Sequence, residues 1–130
     1  MRKGVLIVDD AIGIRTLVRG VLEHAGLQVC GEASNGIEAI EAALRLKPDL
    51  IVLDYSMPEM NGVEAASVLK HRMPGVRIII FTLHADAVGE AVKKSIKVDL
   101  VLAKLDGMDN LIVQIKTLLG LPNNSRAPSA

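Results

Sequence analysis

The sequence predicts an α/β fold in which one doubly wound sheet of parallel strands is covered by helices on both faces. Four short runs of apolar residues lie at 5–8, 50–53, 78–81 and 100–102. They are too short for helices and do not alternate with polar residues, which is typical of strands buried on both faces. Segments with helical periodicity separate the strands. Strand and helix therefore alternate five times, which implies right-handed βαβ crossovers.

The first half of the chain contributes two helices and a weaker strand. After the run at 5–8, a helical stripe ends at Gly26. The stripe consists of Ile14, Leu17, Val18, Val21, Leu22 and Ala25. The mixed segment 27–33 predicts a strand at a sheet edge. The second helix opens at Asn35, with Glu38 at capping-box spacing, and stops before Pro48. Its inward residues are predicted to be Ile37, Ile40 and Leu44.

Three more helices follow in the second half. The third begins after Asn61 and stops before Pro74, and the fourth spans about 86–96. The third is predicted to turn Ala65, Val68 and Leu69 inward, and the fifth to carry Leu111, Ile112, Ile115, Leu118 and Leu119. After Gly120 the chain is rich in Pro, Asn and Ser and loses periodicity. We therefore expect one domain over 1–120, and a disordered tail or the start of a linker over 121–130.

Composition excludes several classes of protein. Fifteen Lys and Arg residues balance 15 Asp and Glu residues, whereas nucleic-acid-binding domains are normally basic. One Tyr, one Phe and no Trp leave no stacking platform for single strands. The single cysteine, Cys30, excludes an intrachain disulfide. No signal peptide or membrane span is recognisable, so we expect a cytoplasmic protein that does not bind membranes.

Charged and hydroxyl side chains follow four of the predicted strands. The first strand ends in Asp9 and Asp10, the third in Asp54, the fourth in Thr82, and the fifth is followed by Ala103 and Lys104. In an open parallel sheet, ligands bind beyond the carboxyl ends of the strands. Taken singly, each residue is better explained as a solvated strand end, but together they predict a binding site.

Three carboxylates at one sheet edge raise each other's pKa unless a cation joins them. Oxygen ligands suit a hard ion, and Mg²⁺ needs only one or two carboxylates and a phosphoryl oxygen. Lys104 and the Thr82 hydroxyl would meet the remaining anionic oxygens. This set of groups is the one that phosphoryl transfer to an aspartate requires.

Four motifs stand out along the chain: Val8-Asp9-Asp10, Asp54-Tyr55-Ser56-Met57-Pro58 followed by Gly62, Thr82 and Lys104. With these motifs, the chain from about Lys3 to Leu119 resembles a receiver (CheY-like) domain of a two-component response regulator. The resemblance implies a flavodoxin-like (βα)5 domain with strand order 2-1-3-4-5. Two stretches, 47–54 and 74–82, resemble receivers that are often joined to a DNA-binding effector.

The resemblance also assigns roles to residues. Asp54 would be the phosphoacceptor. Asp9, Asp10, Asp54 and the backbone carbonyl of Ser56 would bind Mg²⁺, with Mn²⁺ as an alternative. Lys104 and Thr82 would contact the phosphoryl oxygens. Met57, Pro58 and Gly62 would shape the loop after the phosphoacceptor, although Gly62 alone is also consistent with an ordinary helix entry.

The resemblance draws attention to three further positions, at one of which the chain departs from the pattern of the family. Many receivers have an aromatic residue where Val101 stands, three residues before the lysine. Either the switch works here by backbone shifts, or signalling through helix 4, strand 5 and helix 5 is weakened or rerouted. Ser56 and His84 occupy the positions that tune phosphorylation and dephosphorylation rates. His84 either positions water near the phosphoryl group or is an ordinary exposed loop residue.

The predicted function is a phosphorylation-activated switch that receives its phosphoryl group from a sensor histidine kinase or phosphotransfer protein. It would catalyse only its own phosphorylation and slow dephosphorylation. It would not itself bind nucleic acid, but a DNA-binding effector in a longer chain and a homodimer of the phosphorylated form stay open. The alternatives are a constitutive pseudo-receiver, which only Val101 supports, and an aspartyl-phosphate phosphatase, in which an acid usually takes the place of Ser56.

Overall fold

Five parallel strands form one sheet in the order β2-β1-β3-β4-β5. The structure is a computed structural model that describes residues 3–95 and 98–123, the side chains of 91–95 excepted. The strands are β1 (Gly4–Val8), β2 (Gln28–Ala33), β3 (Leu50–Leu53), β4 (Arg77–Thr82) and β5 (Leu100–Ala103). The predicted strand order and the edge position of the mixed strand are confirmed.

Helices cover both faces of the sheet, as predicted. They are α1 (Ile12–His24), α2 (Gly36–Leu46), α3 (Gly62–Arg72), α4 (Ala85–Ser95) and α5 (Met108–Leu119). Buried residues of α2, α3 and α4 pack on one face, and those of α1 and α5 pack on the other. Alternate strand residues point into the two cores, so Leu6 and Val8 lie in the first and Val5 and Ile7 in the second. This alternation explains why the strands are apolar throughout.

The register of the central strands aligns their carboxyl ends. Val8 of β1 pairs with Leu53 of β3, and Leu53 pairs with Ile80 of β4. One step further, the backbone N–H of Asp54 donates to the Val8 carbonyl at 2.9 Å. The residues that follow β1 and β3 therefore lie side by side at one edge of the sheet.

Helix α2 differs in detail from its prediction. The Asn35 side chain accepts a hydrogen bond from the Glu38 N–H, but the Glu38 carboxylate accepts from Ser34 instead of completing the capping box. The inward placement of Ile37 was wrong, because this side chain is 49% exposed. The face of α2 that packs on the sheet consists of Ala39, Ala42 and Ala43. Small side chains let the helix lie close to the strands, and the larger isoleucine is left outside.

Three further details complete the comparison with the prediction. Leu17, predicted to be part of the inward stripe of α1, is 52% exposed, while Val18 and Leu22 are buried. The predicted tail lies only partly within the described residues, because 124–130 fall outside them. The end of the predicted fourth helix, at 96, also falls outside them.

Within the described part of the chain, no helix is long and apolar enough to cross a membrane.

Candidate functional site

Three carboxylates converge at the carboxyl ends of β1 and β3. One oxygen from each of Asp9, Asp10 and Asp54 lies within 4.8 Å of the others. Asp9 and Asp54 are buried, whereas Asp10 is exposed. The predicted convergence of these residues is thus present in the structure, because the aligned strand ends carry the acidic residues on adjacent strands.

Lys104 neutralises part of this negative charge. It follows β5 directly and begins a short 3-10 helix, Lys104–Asp106, which the sequence did not predict. Its Nζ lies 2.9 Å from Asp9 Oδ2 and 3.3 Å from Asp54 Oδ1. Burial acts to lower the pKa of Lys104, but its hydrogen bond to Asp9 and the charge of Asp54 outweigh burial and raise it. Lys104 therefore stays a cation, bridging the two buried carboxylates.

The environment of Asp54 disfavours its ionised form. Burial raises the pKa of Asp54, and the negative charge of Asp9 raises it further, while Lys104 acts in the opposite direction. A carboxylate whose negative charge is disfavoured by burial and by a neighbouring carboxylate is stabilised by any added cation. The donor set at the site consists of hard oxygens, which fit Mg²⁺ or Mn²⁺. The residues that could hold such an ion are Asp9, Asp10 and Asp54, and Ser56 lines the same cavity.

Thr82 and His84 border the same site from the end of β4. The Thr82 side chain is buried, and its Oγ1 accepts a hydrogen bond from the His84 N–H at 3.2 Å. His84 itself is exposed. Both residues line a cavity of about 570 Å³ that also contains the three carboxylates, Lys104 and Ser56. The cavity is large enough for a phosphoryl group and its water.

The loop after Asp54 is held against the site by Gly62. The Gly62 N–H donates to the Tyr55 carbonyl at 2.8 Å. A Cβ at this position would lie only 2.8 Å from the Tyr55 Cα. Glycine is required here for close backbone approach and not merely for helix entry. Within the same loop, Met57 packs against the core, while Ser56 and Pro58 are exposed.

Val101 lies away from the acidic cluster, on the side of β5 that faces α4. It is half-buried and packs against the core of that face. A groove of about 540 Å³ runs beside it, lined by Ala85, Gly89 and Ala103 and by acidic residues at its rim. The structure therefore leaves open space next to the position where an aromatic ring was expected from the resemblance.

One residue of the site escaped the sequence analysis. Arg15, on α1, donates from Nη1 to the Asp9 carbonyl at 2.7 Å. Its Nε also pairs with Glu32 of β2 at 3.0 Å. The only signal of this residue in the sequence is a positive charge near the start of a predicted helix. Its partner Glu32 lies 17 residues away along the chain. Sequence periodicity cannot identify such a contact.

Comparison with known proteins points to one family. The family model described as "response regulator receiver domain" matches residues 5–116. Over 80 residues the chain is 45% identical to a chemotaxis protein CheY from Thermotoga maritima, covering 62% of this chain and 67% of that protein.

Two further likenesses extend this result. A protein-glutamate methylesterase/protein-glutamine glutaminase from Archaeoglobus fulgidus is 39% identical over 89 residues, which cover 68% of this chain but only 26% of that protein. The crystal structure of response regulator TrrA from Thermotoga maritima, solved in complex with Mg²⁺-BeF, is similar with a TM-score of 0.81 and 28% identity, covering 89% of this chain and 98% of that one.

Proposed function

Because the chain belongs to the response regulator receiver domain family, we propose that it is a phosphorylation-activated switch of a two-component system, with Asp54 as the phosphoacceptor. The observation that carries this proposal is the placement of Asp9, Asp10 and Asp54 within 4.8 Å of one another, bridged by Lys104. These are the groups that phosphoryl transfer to a carboxylate requires.

In the proposed reaction, an Asp54 carboxylate oxygen attacks phosphorus in line. A phosphorus–oxygen bond forms as the bond to the donor breaks, and the electron pair of that bond leaves with the donor imidazole of a histidine kinase or phosphotransfer protein. When bound, Mg²⁺ would neutralise charge on the phosphoryl oxygens. Asp9, Asp10, Asp54 and the Ser56 carbonyl would hold it.

Lys104 and Thr82 would bind the phosphoryl oxygens. Lys104 is already cationic and within reach of Asp54, so it needs no large movement to pair with the new charge. The Thr82 hydroxyl accepts from the His84 N–H, which leaves its own proton available as a donor. Movement of Thr82 toward the phosphoryl group would pull the loop that leads into α4, and this couples the site to the α4/β5/α5 surface.

The protein would catalyse only its own phosphorylation and a slow loss of the phosphoryl group. Ser56 offers no carboxyl acid, and His84 is exposed to solvent, so neither places a strong base against phosphorus. We propose a cytoplasmic location and no direct contact with nucleic acid. An effector in a longer chain, and pairing of the phosphorylated form as a homodimer, belong to the same proposal.

The phosphoacceptor is tested by incubation with Mg²⁺ and acetyl phosphate. Intact-mass spectrometry should detect one added phosphoryl group that hydroxylamine removes, and Asp54→Asn should gain none. The control is Asp49→Asn, since Asp49 lies at the opposite end of β3, where it accepts from the Gly4 N–H. If no tested donor phosphorylates the wild type, or if Asp54→Asn gains as much as the wild type at the same site, the proposal is wrong.

Val101 supports a second candidate, a constitutive pseudo-receiver that does not respond to phosphorylation. The groove beside Val101 lacks the ring that many receivers move between two positions. The two functions are separated by NMR of the free and beryllofluoride-bound domain. Shifts in α4 and β5 on binding support the switch, whereas shifts confined to the acidic cluster support the pseudo-receiver.

A further inference from the structure

Arg15 occupies a place that is unfavourable for a cation. It is the fourth residue of α1, near the positive end of the helix dipole. Helix α1 has no side-chain N-cap and no acidic residue in its first turn. The Arg15 side chain is only 14% exposed. A guanidinium in this position depends on partners from outside the helix.

Both partners of Arg15 lie beyond α1. Nη1 donates to the backbone carbonyl of Asp9 at 2.7 Å, and Nε donates to Glu32 Oε1 at 3.0 Å. The planar guanidinium presents both donors at a fixed angle. Arg15 thus ties the loop between β1 and α1 to the neighbouring strand β2.

The contact with Arg15 completes the bonding of Asp9. The Asp9 N–H donates to the Ala33 carbonyl at 3.1 Å, Oδ1 accepts from the Ala11 N–H at 3.0 Å, and Oδ2 accepts from Lys104. The Asp9 carbonyl is the remaining polar atom, and Arg15 holds it. Because a peptide is planar, fixing this carbonyl also fixes the peptide that leads into Asp10.

Asp10 depends on this constraint more than its neighbours do. Among the described residues, no hydrogen bond or ion pair holds its exposed carboxylate. Asp9 and Asp54, in contrast, are both held by Lys104. The placement of the Asp10 carboxylate therefore depends on the position of its backbone, since no side-chain partner among the described residues helps to hold it.

We propose that Arg15 is a positioning residue of the metal site, which orients the Asp9–Asp10 peptide and so directs the Asp10 carboxylate toward Asp54. The inference rests on the proposed function, since it requires the acidic cluster to bind Mg²⁺. Glu32 pairs with the guanidinium, so the effect of Arg15 on the site is one of geometry more than of charge. Outer-shell residues that orient metal ligands have effects of this kind.

Arg19 provides a matched control one turn further along α1. Its Nη1 pairs with Glu32 Oε2 at 2.7 Å and its Nε with Glu23 at 3.2 Å. Neither contact involves Asp9. Arg19→Met removes one positive charge and one bond to Glu32, as Arg15→Met does, but leaves the Asp9 carbonyl with its donor.

The experiment measures the dissociation constant for Mg²⁺ by titration calorimetry, together with urea unfolding in EDTA. Arg15→Met should raise the dissociation constant by about tenfold, at the lower end of the effect of removing outer-shell partners, while Arg19→Met should stay within about twofold of wild type. Arg15→Lys should weaken binding less than Arg15→Met, because an ammonium can still donate a hydrogen bond. It should nevertheless bind more weakly than wild type, because one ammonium cannot replace both donors of the planar guanidinium.

The outcomes separate this inference from the proposed function. If the wild type binds no Mg²⁺, both fail. If the wild type binds Mg²⁺ and Arg15→Met matches Arg19→Met within twofold, only the role of Arg15 is refuted. If Arg15→Met does not fold in EDTA, Arg15→Lys decides the question, and a wild-type dissociation constant for that variant refutes the role.

Discussion

Replacing Gly62 by alanine tests whether close backbone approach fixes the loop after Asp54. Gly62 is the first residue of α3. A Cβ there would stand 2.8 Å from the Tyr55 Cα and 3.1 Å from the Asp54 carbonyl carbon, and the Asp54 carbonyl oxygen lies closer still. All three are backbone atoms, so no side chain can rotate away to make room.

The size of the effect follows from that distance. The alanine Cβ would lie about 0.6 Å closer to the Tyr55 Cα than ordinary van der Waals contact allows. Helix α3 cannot yield easily, because a complete capping box between Asn61 and Glu64 holds its first turn. Overpacking of this kind costs about 1–3 kcal/mol. Without the clash, alanine in a helix would stabilise the fold by about 0.4–1 kcal/mol.

Gly20→Ala is the matched control, since Gly20 lies within α1 and a Cβ there would meet nothing within 4 Å. Urea unfolding followed by circular dichroism should show Gly62→Ala destabilised and Gly20→Ala stabilised. Phosphorylation by acetyl phosphate should slow in Gly62→Ala alone, because the displaced backbone carries Asp54. A Gly62→Ala variant as stable as Gly20→Ala, or one phosphorylated at the wild-type rate, would refute this reasoning.

Three more predictions follow from the charges and the groove. The raised pKa of Asp54 means that its ionised form destabilises the fold above that pKa. Asp54→Asn should therefore melt at a higher temperature than wild type in EDTA at neutral pH, and Mg²⁺ should raise only the wild-type melting temperature. A melting temperature of Asp54→Asn below that of wild type in EDTA would contradict this prediction. Asp99 accepts from the Ile78 N–H at 2.7 Å and from Lys70 at 3.1 Å, and although burial opposes them, these bonds lower its pKa. Asp99 thus stabilises the fold above its unfolded-state pKa and loses this effect as pH falls through its folded-state pKa. Urea unfolding should find Asp99→Asn less stable by about 1.5–3 kcal/mol at neutral pH, with the difference from wild type shrinking in acid; a constant difference is the contrary result. Val101→Phe should fill the groove and extend the beryllofluoride-induced NMR shifts in β5. Unchanged shifts would show that Val101 does not limit the coupling of the site to β5.

The strands and their order were predictable because hydrophobic patterning records burial directly. The buried faces of the helices were harder to predict than the strands. Ile37 and Leu17 are apolar and at helical spacing, yet both are about half-exposed. In α2, tight packing against the sheet favours the alanine face over the isoleucine. A sequence pattern shows which residues are apolar, but the distance between helix and sheet decides which of them fit.

The acidic cluster was predictable because its residues come within two positions of the ends of β1 and β3. Arg15 and Asp99 were not, since their roles depend on pairs of residues that meet only in the fold. A third omission was avoidable: the spacing from Asn61 to Glu64 is a capping-box signature, and the structure contains both of its bonds. This capping box could have been predicted, because its two residues are only three positions apart in the sequence.

The Lys104 bridge has a consequence for the formal charge of the pocket. With three ionised carboxylates and one ammonium, the pocket carries two negative charges, and one divalent ion would bring it to neutrality. Under the proposed function, conversion of Asp54 to an acyl phosphate replaces one negative charge by about two. Under that proposal the metal-loaded pocket would hold a surplus of about one negative charge, and among the described residues that line it Lys104 is the one Lys or Arg. Neutral donors such as the Thr82 hydroxyl would then be drawn toward this surplus, and charge imbalance would itself supply the force that reshapes the end of β4.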